Sequence, residues 1–449
     1  LFKLKIQELS KKVLILILSI FAVANLLLYW PGNLYFLNDD FVHIPLTDGG
    51  VLFQQRSVRP IHELLVRFDL WLWHKQAFGF HITALLLHAI VCMQLYYLTI
   101  AIAVKYCSAN HLAAQKAALL TVILFLLYPQ NSESLTWILG RTPTLSAIFF
   151  LAMVQLFLTS HKTLFTYIFA CIYFLLTLFT YEQSILFPLV FILIAFAAKD
   201  KIQKQQKLVF AATTILAAVI YVVARKLITT EVIGKYEGEN FNGFNLQNLL
   251  GNAIRLMYRL FLNPSSTYYF IVGLAVVTAV FLVVLWLHKK ELNNKRWMLW
   301  VVSIVVLLLP VGSLGITVRS FESGRYLYLP AIFLCLGLGI YLQQKSSIPW
   351  QIFIFCNLFL YWGYGKYQAS VQFKSAFVYA VQVQQQVAQH FMQTPNKPLI
   401  IDTLHVTIHR LPVYRMGFKQ GIHWLNPSVD TNSIKVNYYY DEFIEQKEN

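Results

Sequence analysis

Two adjacent carboxylates, Asp39 and Asp40, stand in the stretch "YFLNDDFVHIPL", directly after a long apolar run. Neighbouring carboxylates repel, and nothing in local helix formation calls for such a pair. The pattern points to chemistry: one carboxylate able to take a proton, or both able to hold a divalent cation, Mg or Mn. Four arginines, Arg59, Arg141, Arg319 and Arg325, and three acids, Glu133, Glu182 and Glu322, recur at the ends of other apolar runs, with His43 beside the pair. Guanidinium presents a flat, permanently charged fork that grips phosphate at two points, which the mobile point charge of Lys does not. Residues of these types, if brought together, would bind a phosphate and supply a base. The plainer alternatives are that the acids cap helices or pair with Arg, and that Arg snorkels at an interface.

The elements that must position these residues follow from composition. Hydrophobic residues make up 58% of the chain and charged ones only 12%, which excludes an ordinary soluble domain and predicts an all-α polytopic membrane protein. The net charge of +16 would suit nucleic acid in a soluble chain. Here the basic residues lie between apolar runs, so membrane topology accounts for them and no nucleic-acid partner is expected. The five cysteines form no CxxC or His/Cys spacing and are expected to be packing residues. About eleven apolar runs approach the length of a membrane span: 13–29, 82–104, 117–128, 145–158, 164–180, 185–198, 208–224, 268–287, 297–315, 327–342 and 350–364. The first, with no small-residue cleavage site after it, is expected to stay as a signal anchor.

Short cytoplasmic loops are rich in Lys and Arg. With Lys3, Lys5, Lys11 and Lys12 inside, the other lysine-rich loops fall on the same side and the segment after residue 364 falls outside. The inside loops then carry about fifteen Lys to one Arg, and the outer loops before the tail about nine Arg to three Lys. Every candidate site residue lies on the outer face. In the first outer loop, "RPIHELLVRFDLWLWHKQ" repeats apolar residues at helical spacing and predicts an amphipathic helix lying in the interface. His62, His74, His81 and His88 are expected to be interfacial or packing residues.

The ordered motifs resemble those of the GT-C glycosyltransferases, multispanning enzymes that take a sugar from a polyprenyl-phosphate carrier on the outer side of a membrane. The acidic pair in the first outer loop is that family's hallmark. "RSVRPIHELL…FGFHITALLLHAI", "NSESLTWILGRTPTLSAIFF" and "SGRYLYLPAIFLCLGLGI" are similar to passages of the protein O-mannosyltransferases that carry tetratricopeptide repeats, and of their bacterial relatives. Two departures stand out: Tyr181–Glu182 replaces a Lys-Glu pair, and no tetratricopeptide array follows the last span. The remaining residues, 365–449, look like the small outer-side α/β segment of some bacterial members, with a helix over "SAFVYAVQVQQQVAQHFMQ" and a buried strand in "KPLIIDTLHVTI".

The resemblance implies a GT-C catalytic domain over 1–364 in a bacterial inner membrane, N-terminus cytoplasmic and C-terminus periplasmic. It implies an inverting transfer from a lipid-phosphate-linked sugar, such as an undecaprenyl phosphate sugar, to a hydroxyl on a protein, lipid or glycan. Asp39 would be the base with Asp40 orienting it, and Arg59, Arg325, Arg141 and Arg319 would hold the donor phosphate. His43, Glu133, Glu182 and Glu322 would support them. Whether a divalent cation joins Asp39 and Asp40 is left open by the residues. The alternative reading is an O-antigen polymerase or ligase acting on a lipid-linked oligosaccharide, which would tolerate loss of the acidic pair.

Overall fold

The computed structural model describes residues 11–50, 58–107, 109–159, 163–189, 204–229, 246–264, 304–312, 316–345, 348–395 and 397–440, together with Ile192, Gly273 and Ala275. The expected spans 268–287 and most of 185–198 and 297–315 lie outside the described residues.

The chain is mostly helical. Helix α1 (Lys11–Leu28) leads to the loop that holds α2 (Asp40–Asp48) and α3 (Pro60–Trp73). Then come α4 (Ala77–Cys107), α5 (His111–Leu127), the short α6 (Asn131–Thr136), α7 (Thr142–Thr159) and α8 (Leu164–Leu178). After these follow α9 (Lys204–Thr229), α10 (Leu246–Phe261), α11 (Tyr328–Lys345) and α12 (Ile348–Gln393). Among the described residues four helical stretches are long and apolar enough to cross a bilayer: Ala77–Cys107, Leu139–Leu158, Gln205–Ile228 and Gly324–Gln343. Three shorter apolar helices, Leu16–Leu28, His111–Leu127 and Leu164–Leu178, coincide with the expected runs 13–29, 117–128 and 164–180.

Helix α4 is apolar on every side, as a helix buried in a bundle must be. At about 1.5 Å per residue it is long enough to cross the hydrocarbon and project beyond it. It packs against α1, α5 and α7; α11 lies on α5, and α8 bridges α7 and α9. Local signals set the helix starts. Asn110 caps α5 by accepting the Ala113 amide at 2.8 Å, and Thr163 and Thr166 form a reciprocal capping box at α8.

Helix α3 carries Leu64, Phe68 and Trp71 exposed on one side while His62, Glu63, Val66 and Asp69 are buried on the other. Its polar face therefore turns into the protein and its apolar face outward, the orientation of a helix lying against lipid.

A second core joins the α1–α4 connection to the C-terminal residues, through Phe36, Phe41, Trp137, Phe373, Phe377, Tyr414 and Trp424. Helix α12 is continuous through residue 365. Beyond it, β1 (Leu399–His405) pairs in parallel with β4 (Ile434–Tyr439), and β2 (Thr407–Ile408) pairs antiparallel with β3 (Leu411–Pro412). Helix α13 (Phe418–Leu425) then lies on α2. Gly417, at φ 76°, and Gly421 permit that approach, because a Cβ on either would come within 2.6 Å of Val42 or within 2.4 Å of the Phe41 ring. The segment is thus built into the wall of the first outer loop. Trp424 Nε1 donates to Asp48 Oδ2 at 2.7 Å, and Lys75 Nζ donates to the Trp424 carbonyl at 2.5 Å.

Candidate active site

The acidic pair sits on a tight turn. Asn38 adopts a left-handed conformation, φ 49°, which costs a non-glycine residue free energy unless its surroundings hold it. Its amide is held by the Val413 carbonyl at 2.7 Å, from the C-terminal segment. This turn sends the two side chains to different environments. Asp40 is fully buried, with Oδ2 accepting the Leu37 amide and Oδ1 the Leu139 amide, both at 3.0 Å. Burial and the neighbouring Asp39 push its carboxyl well above the ordinary range. Asp40 therefore ties the first loop to the chain entering α7, and both its oxygens are occupied.

Asp39 is half-buried at the start of α2 and makes no capping bond there. Burial raises its pKa, against the opposing charges of Arg325, His43 and Arg59. These three groups face it: His43 from one turn along α2, Arg59 from the start of α3, and Arg325 from the short 3-10 turn Gly324–Leu327.

Each arginine is held differently. Arg59 makes a two-pronged bond to Glu182, Nε to Oε2 at 2.8 Å and Nη2 to Oε1 at 2.6 Å, with its guanidinium 5.5 Å from the Tyr181 ring. Partial burial works to raise the Glu182 pKa, but Arg59 overrides it and pulls the carboxyl down to about 2. Arg325 packs 4.5 Å from the Trp137 ring centroid, and its backbone amide donates to Glu133 Oε2 at 2.7 Å. Gly324 makes that turn possible, since a Cβ there would meet the Gln130 carbonyl at 2.7 Å. Both guanidinium groups keep 22% of their side-chain surface open.

Arg141 is different. It is wholly enclosed and paired with Asp69 at 2.5 Å, while Asp69 also accepts Thr83 Oγ1 at 2.6 Å. This ion pair locks α3 to the entry of α7. Arg319 is half-buried, its amide donating to Thr317 Oγ1 at 3.2 Å. Glu322 makes a two-pronged bridge to Arg415 at 2.8 and 3.2 Å, and its carbonyl accepts Arg259.

Several residues here escaped the sequence reading as partners. Asp69 gave a signal, since it shares the buried face of α3 with His62, two turns away. Arg259 joins the Thr317 and Glu322 carbonyls to Gln130 Oε1 from α10, a role that no local pattern marks. His62 is buried with Nε2 unbonded. Burial and the charges of Arg141, Arg59 and His43 hold it well below the usual imidazole pKa.

Among the described residues no group of three or more His, Cys, Asp and Glu is arranged to hold a metal ion.

No protein-family model matches the chain. Over 109 residues it is 32% identical to "Protein O-mannosyl-transferase Tmtc3" of Drosophila melanogaster, a stretch covering 22% of this chain and 12% of that protein. The chain thus matches about an eighth of the relative's length. The apolar helices fit a membrane protein.

Proposed function

We propose that the chain is an inverting glycosyltransferase of the GT-C type. It moves a sugar, mannose by analogy with the relative's name, from a polyprenyl-phosphate carrier to a hydroxyl on the outer side of the membrane. The observation that carries the proposal is the division of labour within the acidic pair. Asp40 is spent on two amides, while Asp39 is half-buried and faces Arg59, Arg325 and His43. A raised carboxyl pKa suits a general base, since it makes the carboxylate a stronger proton acceptor.

In the reaction Asp39 takes the acceptor's hydroxyl proton as that oxygen bonds to the anomeric carbon. The bond from that carbon to the phosphate oxygen breaks, and its electron pair leaves with the lipid phosphate. Arg59 and Arg325 meet the charge that develops on the leaving oxygen. Glu182 and Trp137 fix the two guanidinium groups in advance, so little reorganisation accompanies the step.

The lipid half of the donor has a matching surface. An apolar groove of about 410 Å³ runs between Ile185, Leu186 and Leu189 and the α9 residues Ile215, Val219 and Val222. It begins beside Glu182, the partner of Arg59. Arg225, two residues past the lining residue Val223, donates to the Tyr221 hydroxyl at 3.1 Å, and its charge acts on Glu182. An apolar trough of this kind fits an isoprenoid chain.

The test is donor choice. Purified protein in lipid nanodiscs is given a polyprenyl monophosphate mannose and, separately, a lipid-pyrophosphate oligosaccharide. Transfer from the first alone is expected; transfer only from the second would replace this reading with the polymerase or ligase alternative.

A further inference from the structure

His62 lies in the first turn of α3, one turn past Arg59, and is 5% exposed. Its ring bonds the Ile138 carbonyl, and Nε2 is buried without a hydrogen-bond partner, so the bond to Ile138 falls on Nδ1. A carbonyl only accepts. Nδ1 therefore carries the ring proton, and Nε2 presents a bare lone pair. The Ile138 carbonyl and the Leu139 amide are the two ends of one peptide unit, and that amide is the group Asp40 Oδ1 accepts. In a trans peptide those ends point in opposite directions, so one rigid unit fixes Asp40 on one side and His62 on the other. Nε2 diverges from that peptide. The charges that reach the ring are those of Arg141, Arg59 and His43, and the last two also act on Asp39. His62 thus belongs to the layer of the acidic pair.

Burial, and after it these charges, hold the ring in its neutral form. They also decide what Nε2 can take. A buried acceptor calls for a donor, and the guanidinium groups of Arg141 and Arg59 disfavour a cation there. The surroundings favour a neutral donor carried on an anion. A glycosyl phosphate is such a molecule: its phosphate suits Arg59, and its ring hydroxyls are neutral donors. The hydroxyl nearest the phosphate is the one on the ring carbon next to the anomeric carbon.

We propose that His62 binds the donor sugar, with Nε2 accepting the hydroxyl on the ring carbon next to the anomeric carbon, so that the site selects sugars bearing that hydroxyl. The inference rests on the transfer reading above and extends it from the phosphate to the sugar. A sugar without the hydroxyl leaves Nε2 buried and unpaired, and a site built around a substrate hydroxyl rejects the analogue that lacks it.

The test is equilibrium binding of two donors, polyprenyl-phosphate mannose and polyprenyl-phosphate 2-deoxymannose, to the full chain in nanodiscs with no acceptor present. Binding is read rather than turnover, because loss of that hydroxyl also changes the reactivity of the anomeric carbon. The unaltered protein is expected to bind the deoxy donor at least about tenfold more weakly. His62→Phe keeps a ring but has no lone pair, and should bind the two donors within about twofold of each other. His62→Gln, which has an N–H for the Ile138 carbonyl and an oxygen for the hydroxyl, should keep a preference for mannose and covers the case in which phenylalanine prevents folding. Thermal melting confirms that each variant is folded. Equal binding of the two donors by the unaltered protein, or a preference undiminished in folded His62→Phe, would overturn the inference. Failure of the folded, unaltered protein to bind either donor would instead strike the transfer reading beneath it.

Discussion

The carboxylate of Asp40 accepts the backbone amide of Leu139 at 3.0 Å, a bond between residues 99 positions apart in the chain. Together with the Leu37 amide on its other oxygen, it makes Asp40 a buried clasp between the first outer loop and the entry to α7. Asn offers one carbonyl oxygen where Asp offers two acceptors. The Asp40→Asn variant should therefore leave one amide unpaired and lose about 1–3 kcal/mol of stability, read as a lower Tm. Asp39→Asn removes no such bond and should melt no lower than the unaltered protein. A reversal of that order would mean the two residues divide their roles the other way.

The enclosed Asp69–Arg141 pair predicts a non-additive result. Removing one partner, as in Asp69→Ala, strands a buried guanidinium and should cost about 3–5 kcal/mol. Replacing both, as Asp69→Leu with Arg141→Met, should recover most of that loss. Denaturation of Asp69→Leu, Arg141→Met and the double variant measures the coupling, and additive losses would contradict it.

Arg59 should be intolerant of a change that keeps its charge. Lysine cannot reproduce the two-pronged contact to Glu182 or a two-pronged contact to phosphate. Arg59→Lys is expected to lower kcat by about tenfold or more, less than the roughly 10²–10³ seen for removing a positioned donor outright because the charge remains. Steady-state kinetics against the lipid-phosphate donor would show it. Equal kcat in the variant would argue that Arg59 is only a structural partner of Glu182.

Two pH effects with separate windows follow from the carboxyls. The folded-state pKa of Glu182 is depressed to about 2, below the ordinary value of about 4.3. Its contribution to stability is therefore fully present above that ordinary value and is lost as pH falls toward 2. Glu182→Gln should flatten the acid limb of a melting-temperature profile across this window. The Asp39 pKa is raised, and a base must be ionised to work. The acid limb of kcat/KM should therefore fall above the ordinary aspartate range of about 3.9, with activity lost as pH drops through it.

The types of residue in this site were legible from the sequence because each is expensive at a membrane boundary and therefore conspicuous there. So was α3, whose apolar residues recur every three or four positions. The separation of Asp39 from Asp40 was not legible. It depends on the Leu139 amide and on the Val413 carbonyl, which fixes the left-handed Asn38, and neither lies near the pair in sequence. Arg141 and Arg325 look alike as residue types at span ends. Asp69 at 2.5 Å from one, and Trp137 with the more distant Glu133 at 3.9 Å beside the other, distinguish them. The strand expected in "KPLIIDTLHVTI" forms as β1 and β2, divided at Val406, whose amide turns to the Tyr439 carbonyl at 3.0 Å. That division follows from β4, which pairs with β1 from more than thirty residues later.

The central claim is that Asp39 is the base of a glycosyl transfer. Its most direct test is the single-turnover rate of transfer from labelled polyprenyl-phosphate mannose to a peptide acceptor, comparing the unaltered protein with Asp39→Asn in nanodiscs. The account predicts a fall of about 10²-fold or more, with donor binding retained and no loss of Tm. A rate for Asp39→Asn within about threefold of the unaltered protein, well inside what loss of a general base should cost, would contradict it.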